Sequence, residues 1–164
     1  MAAKRTALDR IDVKILAALQ RDGRSTIQKL AETVGLSPRA SLERVRRLES
    51  AGVIAGYQAV VELGRLSRPV NVFAEIILEK QANRGRFEKR LAAIEDVVEC
   101  WEVSGTVDYI ARFVCADLGT YEELTSALID DVNLGVARIV SHVALRPIRR
   151  FAGYPESLLG RKTV

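Results

Sequence analysis

The chain has 164 residues, 48% of them apolar and 28% charged. At roughly 100–200 residues per domain this is one domain or two small ones, and the composition sets it apart from collagen-like, coiled-coil and disordered chains. The net charge is +4, and it is unevenly placed. Residues 1–57 hold 11 Lys/Arg against 6 Asp/Glu, whereas residues 58–164 hold 14 against 15. A basic module followed by a near-neutral one suggests a head that binds a polyanion and a body with another task. No apolar run approaches the ~18 residues of a membrane span. Met1-Ala2-Ala3-Lys4-Arg5 leads into Leu8-Asp9-Arg10-Ile11-Asp12 rather than a hydrophobic signal core, so the expected location is cytoplasmic. Cys100 and Cys115 form no CxxC pattern, which argues against a disulfide framework or a metal site and leaves them as small buried hydrophobes.

Helical periodicity governs the first 57 residues. Leu8, Ile11, Ile15 and Leu19 recur at three- and four-residue spacing, with Asp9 placed to cap the first helix and Asp22-Gly23 to end it. Ser25-Thr26-Ile27-Gln28 has the form of a capping box and opens a second helix, with Ile27, Leu30, Ala31 and Val34 on one face. Gly35 supplies the positive φ of a tight turn. Ser37 then caps a third helix that has Pro38 at its first position, runs to about Ser50 and stops at Gly52. Leu42, Val45 and Leu48 are its inward residues, with Ser41 beside them. Three short helices with a tight turn before the last make a helix-turn-helix.

Val53, Ile54, Tyr57, Val60 and Val61 read as an extended connector, and Arg65 to Pro69 as a loop. The remainder predicts a strand over 70–78, a helix over 86–94, strands over 97–104 and 109–115, a helix over 118–129 and a strand over 136–145. That order, β-α-β-β-α-β, is the ferredoxin-like arrangement. The expected fold is therefore α+β: a winged-helix-like helix-turn-helix domain over 1–57, an extended linker over 58–69, a ferredoxin-like domain over 70–148 and a loosely packed tail over 149–164.

On a helical wheel the third helix turns Ala40, Glu43 and Arg47 away from its buried face. Arg39 lies near them, and Arg44 and Arg46 flank the stripe. An arginine there can donate two hydrogen bonds to guanine in the major groove, and Glu43 can accept from cytosine. Ser25 and Ser37, at helix N-termini, offer phosphate contacts. Ser25, Ser37, Arg39, Ala40, Glu43, Arg44, Arg46 and Arg47 are thus the candidate contacts to double-stranded DNA. A solvated basic face on a helix bundle is the plainer explanation; the turn spacing and charge segregation favour DNA.

Several segments resemble the Lrp/AsnC (leucine-responsive, feast/famine) transcriptional regulators. They are Leu8-Asp9-Arg10-Ile11-Asp12, Gly35-Leu36-Ser37-Pro38, Leu42-Glu43-Arg44-Val45-Arg46-Arg47-Leu48-Glu49, Gly52-Val53-Ile54 and the G-x-x-D-Y run Gly105-Thr106-Val107-Asp108-Tyr109, followed by Asp117-Leu118. Arg39-Ala40-Ser41 departs from the family's more usual Thr-Pro-Cys, and the tail past Arg150 has no clear counterpart. The resemblance implies a dimer formed through the ferredoxin-like domain, further assembly to a tetramer or octamer, and an amino acid or similar small effector bound between such domains. Carried over, the effector residues are Gly105, Thr106 and Asp108 of the turn, with Ser141 from a neighbouring subunit's last strand. Asp108 suits an α-ammonium and the Gly105 turn a carboxylate; alternatively, the turn residues serve the hairpin alone.

No cofactor, metal or catalytic residues are expected. Among the other side chains, His142 is the sole histidine, expected to pack or lie at an interface, and Trp101 to pack in the sheet or at a subunit contact. The resulting expectation is a non-enzymatic, nucleoid-associated regulator whose assembly or DNA affinity responds to an amino acid. Two alternatives stand beside it. Sirohaem decarboxylases share the architecture, but a single histidine argues against their chemistry; an architectural DNA-binding protein would lack an effector.

Overall fold

The computed structural model describes residues 6–160; residues 1–5 and 161–164 lie outside the described residues. In chain order the helices are α1 (Arg10–Arg21), α2 (Ile27–Val34), α3 (Pro38–Ser50), α4 (Arg84–Ala92), α5 (Leu118–Asp130) and the single turn α6 (Glu156–Leu159). The strands are β1 (Val70–Leu78), β2 (Val97–Glu102), β3 (Tyr109–Cys115) and β4 (Val136–Val143). They divide into two compact units: a helical one, up to Val60 and again from Arg149, and a mixed one over Val61–Ile148.

In the helical unit, Asp9 caps α1 and forms a reciprocal capping box with Asp12. Two orphan backbone donors at the start of the helix are thereby satisfied. The expected box at Ser25–Gln28 does not form. Thr26 is the cap of α2 and accepts from the Lys29 N–H at 3.2 Å, one residue later than the sequence pattern placed it. Ser37 caps α3 and Gly35 adopts the left-handed conformation (φ 71°) that turns the chain between α2 and α3. Ile15, Leu16, Leu30, Val34, Val45 and Leu48 form the core. Leu42, expected inward, is only half-buried, because Ser41, Val45 and Leu48 define the buried stripe of α3. Among the described residues the connector after α3 forms no strand; its one regular feature is a 3₁₀ turn at Leu63–Arg65.

The tail is not loosely packed. The tail joins the helical unit, where Leu159 packs against the core and Gly160 approaches Val13. Gln20 of α1 donates from Nε2 to the Tyr154 carbonyl at 3.2 Å and accepts the Tyr154 N–H at 2.6 Å. Gly153 sits beside that pair at φ 107°, where an added Cβ would lie 3.0 Å or less from Gln20 atoms.

In the mixed unit the order β1-α4-β2-β3-α5-β4 folds into one antiparallel sheet arranged β2-β3-β1-β4. Strict alternation along β1 and β3 sends Val72, Ala74, Ile76, Leu78, Tyr109, Ala111, Phe113 and Cys115 to one face, where Phe87, Leu91, Tyr121 and Leu128 of the helices cover them. The opposite face carries Phe73, Glu75 and Arg112, with Trp101 and His142 at cross-strand positions. Trp101 is half-exposed there, and His142 is exposed with Nε2 3.4 Å from Glu75 Oε1. Helix α4 starts two residues before the expected position, because the Asn83 side chain accepts from the Arg86 N–H at 3.0 Å and caps it. The cysteines divide. Cys115 is buried, which pushes its thiol up to about 11, while Cys100 on edge strand β2 is exposed, contrary to expectation.

The strap formed by the tail yields a prediction. Gly153→Ala puts a side chain where φ is positive and Gln20 already fills the space, so it should destabilise the helical unit by about 1–2 kcal/mol. Thermal unfolding followed by circular dichroism measures this, with Ala152→Gly as a control expected to shift far less.

Candidate nucleic-acid interface and effector turn

The organising group of the helical unit is a carboxylate absent from the expected site residues. Asp12, 1% exposed, accepts from Arg44 Nη1 through Oδ1 at 2.8 Å and from Arg47 Nη2 through Oδ2. Oδ2 also accepts the Asp9 N–H at 3.1 Å. Arg44 Nη1 reaches Asp9 as well, at 2.6 Å. The Asp9 carboxyl is held below the usual carboxylate range, first by the Asp12 N–H and then by Arg44. Two arginines of α3 are thereby fixed to the N-terminus of α1, where the helix dipole favours the two carboxylates.

The expected DNA-facing residues accordingly fall into groups. Arg44 is largely covered by its carboxylate partners; Arg47 is tied to Asp12 with its side chain 53% exposed. Arg39 is nearly fully exposed, with only a 3.4 Å contact from its Nε to Glu43, an exposed pair of little energetic weight. Arg46 is exposed and has no carboxylate within 4.0 Å among the described residues. Ala40 is half-buried rather than outermost. The Ser37 hydroxyl oxygen accepts from the Ala40 N–H at 3.3 Å, so it already serves as a cap. Ser25 is half-buried and its N–H donates to the Asp22 carbonyl at 3.1 Å. Charge counting found the basic head but not Asp12. A carboxylate three residues after a capping Asp was its only sequence signal.

The effector turn shows the same pattern. Gly105 adopts φ 128° and is exposed, as is Thr106. Asp108 is tied on both oxygens: Oδ1 accepts from Arg84 Nη2, and Oδ2 accepts the Leu78 N–H at 2.8 Å. Its own N–H donates to the Ile76 carbonyl at 2.9 Å. The turn is thus clamped to the end of β1 and the start of α4. The Leu78 N–H first, and then Arg84, hold the Asp108 carboxyl below the usual range. The Arg84 guanidinium lies 5.8 Å from the centre of the Tyr109 ring, and the Tyr109 hydroxyl donates to Glu88 at 2.7 Å. Ser141 stands opposite Ala74 in the sheet and shares a hydrogen bond with the Tyr121 hydroxyl. Its partner is thus a helix residue of its own chain rather than the turn. Arg84 and Tyr121, both missed from sequence, act across long separations that periodicity does not report.

A helix-turn-helix with a basic third helix and a four-stranded ferredoxin-like unit define a DNA-binding regulator with a sensory domain. Comparison with known proteins agrees. Residues 8–55 match a family model for winged helix-turn-helix DNA binding, and residues 71–152 match the Lrp/AsnC ligand binding domain. The Bkd operon transcriptional regulator of Pseudomonas aeruginosa is 42% identical over 143 residues, which are 86% of this chain and 93% of that one. The leucine-responsive regulatory protein of Escherichia coli K12 is 42% identical over 123 residues, 71% of this chain and 73% of that one. Among solved structures, a transcriptional regulator from Neisseria meningitidis in complex with L-Met aligns with TM-score 0.82 at 27% identity, covering 93% of this chain and 99% of that one. An AsnC family regulator from Agrobacterium tumefaciens aligns with TM-score 0.84 at 28% identity over the same shares. The chain belongs to the Lrp/AsnC family of DNA-binding transcriptional regulators. No described helix is long and apolar enough to cross a membrane.

Two predictions come from these carboxylates. Asp12→Ala removes the buried acceptor shared by Arg44, Arg47 and the Asp9 N–H, while Arg44 keeps Asp9, and should cost about 1.5–3 kcal/mol, read as a fall in urea midpoint; Glu32→Ala on exposed α2 surface is the control. Asp9 and Asp108 carry folded pKa values below their unfolded ones. Their stabilisation is therefore complete above about pH 4 and lost as pH falls through the folded values. Asp108→Asn should flatten the dependence of unfolding free energy on pH below 4, and an unchanged slope would contradict the assignment.

Proposed function

We propose that this regulator senses an amino acid, with the effector altering its assembly or its affinity for DNA. The observation that carries the reading is the near-complete structural match to a regulator solved with L-Met, combined with an exposed, rigidly clamped turn at Gly105–Asp108. The effector residues are Gly105, Thr106 and Asp108, with Ser141 contributed by a neighbouring subunit. Arg84, half-exposed beside Asp108 and bound to it through one nitrogen, keeps further N–H groups that suit the effector carboxylate. The protein acts without enzymatic chemistry or a cofactor, in the cytoplasm and on the nucleoid.

On the DNA side, Arg39 and Arg46 of α3 extend to the duplex, with Glu43 alongside. Arg44 and Arg47, held by Asp12, set the angle of the helix, and Arg47 offers its remaining N–H groups. Ala40 contacts the groove floor, while Ser25 and Ser37 sit beside phosphates. A dimer presents two such helices to half-sites ~34–36 Å apart or a multiple of that, and tetramers or octamers gather several sites.

The test has two arms. A thermal-shift series with the twenty amino acids should single out one or a few; a ligand at 100 times its Kd adds ~2.7 kcal/mol to apparent stability. No shift with any of them would leave an effector-independent architectural protein. On operator DNA, Arg46→Ala should either cost ~1–3 kcal/mol at one base position or lower the salt slope by about 1 with equal loss on all sequences. Binding unchanged in gel shift would remove Arg46 from the interface.

A further inference from the structure

Within the mixed unit, charge is sorted by helix. Residues 80–90 carry Lys80, Arg84, Arg86, Lys89 and Arg90 against Glu88 alone. From Asp117 to Asp131 there are five carboxylates and no lysine or arginine. Phe87 and Leu91 point α4 into the core, which leaves Arg86, Lys89 and Arg90 exposed on its outer side. Tyr121, Thr125 and Leu128 do the same for α5, leaving Glu122, Glu123 and Asp130 exposed. None of these six has an ion pair within 4.0 Å among the described residues. At the C-terminal end of α5, the Asn133 side chain and N–H first, and then the charges of Arg86 and Arg90, hold the Asp131 carboxyl below the usual range. The two helices cover the same face of the sheet with opposite, unspent charge.

We propose that the basic outer face of α4 docks on the acidic outer face of α5 of a second copy of this chain. Complementary strips side by side in one helical layer are self-complementary, so two copies meet about a twofold axis with α4 of each on α5 of the other, and with a dimer contact elsewhere this builds the larger assembly. Such charges set partner choice and register more than raw affinity. A duplex along α4 is less favoured, because the unpaired carboxylates of α5 in the same helical layer repel a polyanion. The proposal extends the assembly clause of the proposed function and names its surface.

The experiment uses the full chain without DNA in sedimentation velocity. Two variants reverse the faces: Arg86→Glu/Lys89→Glu/Arg90→Glu and Glu122→Lys/Glu123→Lys/Asp130→Lys. Each alone should require about tenfold or more protein to reach the wild-type large assembly, and an equimolar mixture should restore it. Wild-type assembly should itself weaken between about 0.05 and 0.5 M salt as exposed charges are screened. The milder Arg86→Gln/Lys89→Gln/Arg90→Gln form, with its fold verified by circular dichroism, should show the same direction of change. Wild-type size in both variants overturns the proposal, as does a mixture that fails to recover. Unchanged size with weakened DNA binding instead makes α4 a DNA-backbone contact. Gel shifts on a short operator separate the two readings: the helical unit is untouched, so loss of amino-acid response or of DNA binding in the wild type sinks the proposed function alone.

Discussion

The buried carboxylate of Asp12 and the two arginines it holds fix the geometry of the DNA-binding head. A charge taken out of water is tolerated only when its oxygens are fully occupied, and here backbone N–H and guanidinium groups fill both. The contact joins the first turn of α1 to the middle of α3, thirty-two and thirty-five residues apart in sequence. It sets the rotation of α3 about its own axis, and so decides which of its arginines remain free. The apolar core alone would permit sliding along the stripe of Ser41, Val45 and Leu48; directional hydrogen bonds do not.

The same device recurs in the sensory unit. Asp108 binds the Leu78 N–H and Arg84, tying a hairpin turn to the end of one strand and the start of a helix. In both units an aspartate from a family motif holds the scaffold and so fixes where it and the exposed groups beside it stand. This is the usual division for precise sites, in which rigid supports position the groups that make contact. The tail contributes a third tie through Gln20 and Tyr154, so the head is built from both ends of the described chain.

Much of the fold was legible because it rests on local rules. Period-two burial located β1 and β3 to the residue, and capping by Asp9 and Ser37 with the turn at Gly35 located α1 and α3. Two helix starts differ from the sequence pattern: Thr26 rather than Ser25 caps α2, and Asn83, a cap that apolar periodicity does not report, starts α4 two residues early. The wheel for α3 also erred at Leu42 and Ala40, because its burial reflects contacts from several helices, which a single stripe does not represent.

By itself the sequence determined the two-module plan, the order of elements, the basic head and the family motifs, since each depends on composition or on residues close in the chain. Only the tertiary structure decided what the charged side chains do. Asp12 with Arg44 and Arg47, Asp108 with Arg84, and Tyr121 with Ser141 are joined across twenty to thirty-five residues. Whether an arginine is free or already bound depends on which carboxylate folding brings beside it, and no one-dimensional pattern encodes that distance.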